Sequence, residues 1–303
     1  MSKAVSYSEY GGPEVLEVVD VPEPHAGEGE VRVAVRAAGL NPFDSKVRRG
    51  GYIPTHTLPS LQGAEFAGVI DEIGSGVQGW AVGDEVLGWI GRGGQAEFVV
   101  VPEGRVAAKP AELDWAVAGG IGLVANTARR AVDSLELGPG DTVLVTAAAG
   151  GVGVVAVQFA KAAGATVVGT ASEANHEFLK SLGVIPVAYG EGELERLRAA
   201  APSGYTAALD HVGGRAITTA LELGIPAERI NTIADNDPAE NLGLSRVGGG
   251  KKTSEELAGF ARQAAAGELV FPIRSTYRLA DVVAAFEDLE TGHGLGKVVL
   301  LIP

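Results

Sequence analysis

No cysteine occurs in the 303 residues, which removes disulfides, iron–sulfur clusters and thiolate–zinc sites together. A basic surplus is missing too: the formal net charge is −14, and compact basic runs are no longer than pairs such as Arg48-Arg49 and Lys251-Lys252. A nucleic-acid partner, which needs a basic stripe, is therefore not expected. The N-terminal stretch MSKAVSYSEYGG has no apolar signal core, and no uninterrupted apolar run reaches membrane-spanning length. No membrane partner is expected, and the chain reads as a soluble cytoplasmic protein. The five histidines, His25, His56, His176, His211 and His293, form no local metal-ligand spacing.

Glycine, by contrast, is abundant. The 44 glycines follow no fixed period, so collagen and solenoid architectures are excluded and strand-to-turn junctions are implied. From Met1 to about Lys109 the texture is β-like: Val31, Val33 and Val35 alternate with Arg32 and Arg36, the period of a half-buried strand. Turn punctuation (GGP, PEPHAGEGE, GSGVQG, GRGG) separates such runs. After about Leu113 apolar strands alternate with helical segments. Residues 141–147, 165–171, 205–212 and 227–234 read as strands of a parallel sheet, with a helix over 153–163. The tail, 296–302, reads as a strand that pairs with the first domain.

Between the first of these strands and its helix lies Ala148-x-Gly150-x-x-Gly153, a dinucleotide fingerprint with alanine in place of its first glycine. Gly150 lets backbone approach a pyrophosphate, Gly153 lets the helix pack on the strand, and the helix N-terminus faces the phosphates. Ala149, Gly150, Gly151, Val152 and Gly153 are thus expected to hold the cofactor; a merely structural tight turn is the alternative. The second strand ends in neutral Gly169-Thr170-Ala171-Ser172 rather than in a carboxylate. That favours NADP (NADPH), with Ser172, Asn175 and His176 as donors to the 2′-phosphate and Lys180 as a more distant one. Glu173 would favour NADH if it held the ribose, and a plain helix cap at Ser172 is the structural alternative.

The segments 39–50, 58–77, 82–88, 147–153 and 296–300, in that order, resemble the zinc-independent quinone oxidoreductase branch of the medium-chain dehydrogenase/reductase superfamily. The resemblance covers essentially the whole chain. It implies an α/β fold: a GroES-like β-rich catalytic domain (1–118 plus 262–303) and a Rossmann parallel-sheet cofactor domain (119–261). Asn41 and Ala64 stand where zinc-dependent relatives carry a cysteine and a histidine ligand, and the four-cysteine lobe is absent, so no metal is expected.

The resemblance further places Asn41 beside the nicotinamide and turns Tyr52 toward the cleft, as catalytic candidates. It places Thr127 and Lys297 at the nicotinamide end and Tyr189 near the adenosine phosphate. On local sequence alone Asn41 could be an Asn-Pro turn, Tyr52 a loop aromatic, Thr127 a helix residue and Lys297 a solvated strand lysine. Asp44 reads as structural, and Asp210-His211 as a cofactor-edge or packing pair without a serine nucleophile elbow.

Hydride transfer to a quinone or α,β-unsaturated carbonyl, small-molecule acceptors that delocalise the developing charge, is the implied activity. An enoyl reductase or tailoring enzyme, or a nucleotide-binding protein without turnover, are the alternatives. Residues 236–255, with three consecutive glycines, read as a mobile or divergent loop where such relatives carry substrate and dimer contacts; a homodimer stays open.

Overall fold

The computed structural model describes residues 1–51, 57–234, 242–246 and 252–303. The chain forms two compact units: Met1–Leu123 with Lys252–Gly292 and Lys297–Pro303, and Val124–Lys251 with His293–Gly296.

In the first unit, strands β1 (Ser2–Tyr7), β2 (Glu17–Val21) and β3 (Glu30–Gly39) lead to helix α1 (Pro42–Arg48). β4 (Ser60–Leu61), β5 (Glu65–Ile73), β6 (Glu85–Trp89), β7 (Phe98–Pro102) and β8 (Val106–Ala108) follow. Helix α2 (Trp115–Asp133) then carries the chain across the unit boundary. The valine alternation of β3 holds, because Val31, Val33 and Val35 enter a core with Phe66, Ile70, Val86 and Val99. Arg32 departs from it: the side chain is buried, forked onto Asp71 through two 2.9 Å hydrogen bonds and stacked on Phe98. Beyond Arg36 the alternation stops, since Ala37, Ala38 and Gly39 are all buried. α2 covers that end of β3 closely enough that a Cβ at Gly119 would lie 2.6 Å from the Ala37 Cβ.

The second unit contains β9 (Thr142–Val145), α3 (Gly151–Ala162), β10 (Thr166–Ala171), α4 (His176–Ser181), β11 (Ile185–Ala188), α5 (Glu193–Ala200), β12 (Ala207–Asp210), α6 (Arg215–Glu222), β13 (Ile230–Thr232) and β14 (Ser245–Arg246). Its strand order is β11-β10-β9-β12-β13-β14, and every pairing is parallel. This is the doubly wound order whose direction reverses between β9 and β12, the place where such sheets open a crevice for ligands. Leu144, Val168, Val187, Ala208 and Ile230 form its core with Leu197 and Ile217. The fourth anticipated strand is shorter than its apolar run, because Ala227–Arg229 turn as a 3₁₀ helix first.

The chain then returns to the first unit through α7 (Ser254–Ala265), β15 (Ile273–Arg278), α8 (Val282–Glu290) and β16 (Lys297–Leu301). β16 lies between β15 and β3, so the tail does pair with the first unit. α8 anchors α1: Glu290 accepts from the buried Arg48 at 2.6 Å, and that guanidinium stacks on Phe286. Within the segment anticipated as a loop, Ser245–Arg246 pair with β13 and Ser254 opens α7, capped by Thr253 and Glu256; residues 236–241 and 247–251 lie outside the described residues.

Candidate functional site

At the end of β9 the chain turns through residues 146–149 and Gly150 caps α3. A Cβ on Gly153 would sit 2.1 Å from the Ala147 carbonyl oxygen and 2.8 Å from the Ala148 Cα, so only glycine lets the helix seat on the turn. The left-handed residue is Ala147, with φ of 48°, one position before the alanine that replaces the first fingerprint glycine. The first helical bond of α3 runs from Val154 to Gly150. The amides of Gly151, Val152 and Gly153 therefore point out of the N-terminus without helical acceptors. Across the turn, Gly296 donates its N–H to the Ala149 carbonyl at 2.8 Å and bridges Gly150. Lys297 is the next residue in the chain.

β10 ends as anticipated, in buried Thr170 and Ala171 followed by half-buried Ser172. Asn175 donates to the Ser172 hydroxyl at 3.2 Å, and the His176 ring lies 3.4 Å from the Ala171 carbonyl. Glu173 is exposed within a short 3₁₀ turn, and the Lys180 ammonium is taken by Glu177 at 2.7 Å. Glu173 and His176 line a 410 Å³ cavity with Val187 and Arg196. Arg196, absent from the sequence-based candidates, is held there by its bonds to the Ala188 and Glu191 carbonyls. Tyr189 is exposed; its hydroxyl lies 3.1 Å from His293 Nδ1 and the two rings stack. Thr127 is half-buried on α2, in the same unit.

Asp210, at the end of β12, organises the turn into α6. Its carboxylate accepts from the Thr146 and Thr232 hydroxyls at 2.9 and 2.8 Å and from the Val212 and Gly213 amides. The Thr146 oxygen in turn accepts the His211 N–H at 2.8 Å. The His211 ring nitrogens are covered and have no hydrogen-bond partner among the described residues, and burial lowers the imidazole to about 4, so it is neutral.

A second polar group lies in the first unit. Asn41, Asp44, Glu65 and Lys297 are each less than 5 % exposed, at 3, 4, 1 and 3 %. Asn41 Nδ2 donates to Glu65 Oε1 at 2.9 Å, Lys297 Nζ lies 2.9 Å from the same oxygen, and Lys297 also donates to Asn41 Oδ1. The other Glu65 oxygen accepts the Leu123 N–H of α2 at 2.8 Å. Asp44 caps the start of α1 by accepting the Asn41 backbone N–H at 2.9 Å, and burial pushes its carboxyl up to about 7 despite the nearby Lys297 charge. Gly39 makes the crowding possible, since a Cβ there would meet Glu65 Oε1 at 2.5 Å.

The structure thus gathers Asn41 and Lys297 into one cluster, with Lys297 buried rather than solvated. The fingerprint residues form a second group and Ser172, Asn175 and His176 a third. Tyr52 lies outside the described residues. Glu65 was missed from sequence, although a carboxylate in Gly63-Ala64-Glu65-Phe66-Ala67 at the head of an apolar strand is the signal of a buried, partnered acid. Among the described residues no group of three or more His, Asp or Glu side chains is placed to hold a metal, and no helix is long and apolar enough to cross a membrane.

Two family models match the chain: "Alcohol dehydrogenase GroES-like domain" over residues 27–111 and "Zinc-binding dehydrogenase" over 151–256. The NADPH-dependent alkenal/one oxidoreductase of Arabidopsis thaliana chloroplasts is 32% identical over 98% of this chain and 79% of its own. The solved quinone oxidoreductase of Coxiella burnetii superposes with a TM-score of 0.90 at 31% identity, covering 100% of this chain and 99% of that one. A mycobacterial protein solved in complex with NADPH gives a TM-score of 0.85 at 30% identity, over 99% of this chain and 100% of its own.

Proposed function

Because this chain belongs to the quinone oxidoreductase branch of the medium-chain dehydrogenase/reductase superfamily, we propose that it is an NADPH-dependent reductase of quinones or α,β-unsaturated carbonyls that works without a metal. The observation that carries this is the glycine turn. A seat that rejects even a Cβ at Gly153, under three outward amides, fits the pyrophosphate of a dinucleotide. Gly150 to Gly153 would hold the phosphates. Ser172, Asn175 and His176 would take the 2′-phosphate, with Arg196, which lines one cavity with His176, lending positive charge. When bound, the reduced nicotinamide supplies the hydride.

Zinc does not fit the first-unit cluster. Ala64 offers no ligand atom, and the Asn41 oxygen and Glu65 Oε1 both face the Lys297 ammonium, which a metal ion beside them would have to confront. Without a Lewis acid, charge developing on the acceptor oxygen is met by hydrogen-bond donors, and the acceptor has to spread that charge itself, as quinones and enones do. Asn41 is the donor candidate among the described residues, beside Tyr52, which lies outside them.

The test is an anaerobic screen of NADPH oxidation across quinones, alkyl enones, enoyl thioesters and aldehydes. Turnover with small quinones or enones and little with aldehydes is expected. Confinement to enoyl thioesters would replace the proposal by a biosynthetic enoyl reductase, and NADPH binding without turnover on any acceptor would remove the enzyme assignment.

A further inference from the structure

The side-chain amide of Asn41 has two orientations that differ by exchanging oxygen and nitrogen, and its buried neighbours discriminate sharply between them. An ammonium only donates and a carboxylate only accepts. With Oδ1 toward Lys297 and Nδ2 toward Glu65, both contacts are matched. Turned over, the N–H2 group would face the ammonium and the oxygen would face the carboxylate, leaving four buried polar atoms opposed. Lys297 and Glu65 also neutralise each other at 2.9 Å, so the lock carries no net charge. Lys297 is itself fixed, because a Cβ on Gly120 of α2 would lie 3.0 Å from its Cγ and 3.4 Å from its Cε.

We propose that Lys297 is a positioning residue, acting through Asn41: its ammonium, paired to Glu65, holds the Asn41 amide in the single orientation that turnover requires. This replaces direct cofactor contact as the role of the lysine, and it rests on the proposed part of Asn41 in the reaction. Among the described residues the second N–H of Asn41 reaches only Asp44, at 3.5 Å, so one donor hydrogen is held in a fixed direction and weakly used.

Among the described residues the charged and titratable groups facing Asp44 are Lys297 on β16, Glu65 on β5 and, more distantly, Arg48 on α1. Removing the ammonium removes the neighbour that lowers the Asp44 carboxyl. A Lys297 variant should therefore move any pH dependence set by this cluster upward, which a purely structural lysine away from the cluster would not do.

The experiment is a double-mutant cycle of Lys297→Met and Asn41→Ala, reading kcat, cofactor dissociation constant and the pH profile of turnover. Lys297→Met should lower kcat on the order of tenfold. It should leave NADPH affinity within about twofold, since no phosphate contact is lost. In the Asn41→Ala background the same substitution should cost almost nothing more. Should Lys297→Met fail to fold with its Glu65 partner left buried and unpaired, the charge-neutral Lys297→Met/Glu65→Gln pair carries the same cycle.

A loss of NADPH affinity with kcat unchanged would return Lys297 to cofactor binding and overturn the proposal. Additive losses in the cycle would overturn it as well. Wild-type turnover in Asn41→Ala would instead refute the role given to Asn41 in the proposed function, an outcome separate from both.

Discussion

The two buried polar clusters solve the same problem, a carboxylate sealed from water, in opposite ways. Glu65 is satisfied by an ammonium 2.9 Å away, an amide and one helix N–H, brought from residues up to 232 positions distant in sequence (297 minus 65). Among the described residues Asp210 has no cation within hydrogen-bond reach; two threonine hydroxyls and the amides of its own turn suffice. The ionic cluster depends on the tail strand β16 docking beside β3, whereas much of the neutral one assembles as β12 ends. A long-range ionic lattice fixes side-chain direction, which chemistry on a substrate needs. A local neutral lattice fixes backbone, here the turn from β12 into α6.

Substitution should separate the two. Glu65→Ala leaves the Lys297 ammonium buried without its counter-charge and is expected to cost about 4 kcal/mol of stability. Asp210→Ala removes acceptors from neutral donors only and should cost roughly 2 to 3 kcal/mol. Chemical denaturation of both variants checks the order, and an equal or reversed pair would break the comparison.

The clusters also differ in how they respond to pH. Asp44 is raised to about 7, so between its unfolded value near 3.8 and 7 the folded chain binds one proton more than the unfolded, and stability falls as pH rises. His211 is lowered to about 4 from 6.5, so between pH 4 and 6.5 the unfolded chain binds the extra proton, and stability rises with pH. The two slopes, each about 1.4 kcal/mol per pH unit, cancel across that window. Asp44→Asn should expose the His211 slope, with stability lost on acidification. His211→Asn should expose the Asp44 slope, with stability lost as pH rises from 4 toward 7. Urea unfolding at pH 4.5, 5.5 and 6.5 reads both; parallel curves for wild type and variants would show that neither group is held as described.

The smallest effect concerns the turn itself. Ala147→Gly relieves a left-handed alanine and, net of the added unfolded-state freedom, should raise stability by up to about 1 kcal/mol with NADPH affinity kept. Thermal unfolding and cofactor titration of this variant test whether the alanine is strained.

The same contrast decides how much was legible in the sequence. The β9–α3 turn, the neutral end of β10 and the parallel β9–α3–β10 unit all follow from spacing within about thirty residues, where strand period and glycine placement speak directly. Even there, the left-handed conformation of Ala147 was not anticipated. Arg32 read as solvent-facing by alternation, because period alone does not reveal that Asp71 and Phe98 wait beneath it. Glu65 and the true setting of Lys297 were hidden for the same reason: their partners come from β5, the Asn41 cap and the tail, and only tertiary pairing brings these together.

The central claim, metal-free hydride transfer from NADPH to a conjugated acceptor, is tested most directly by anaerobic turnover with a small quinone before and after exhaustive chelation, with metal content measured on the same sample. Turnover should be unchanged, with metal far below one ion per chain. One zinc per chain, lost together with turnover and restored with it, would contradict the account.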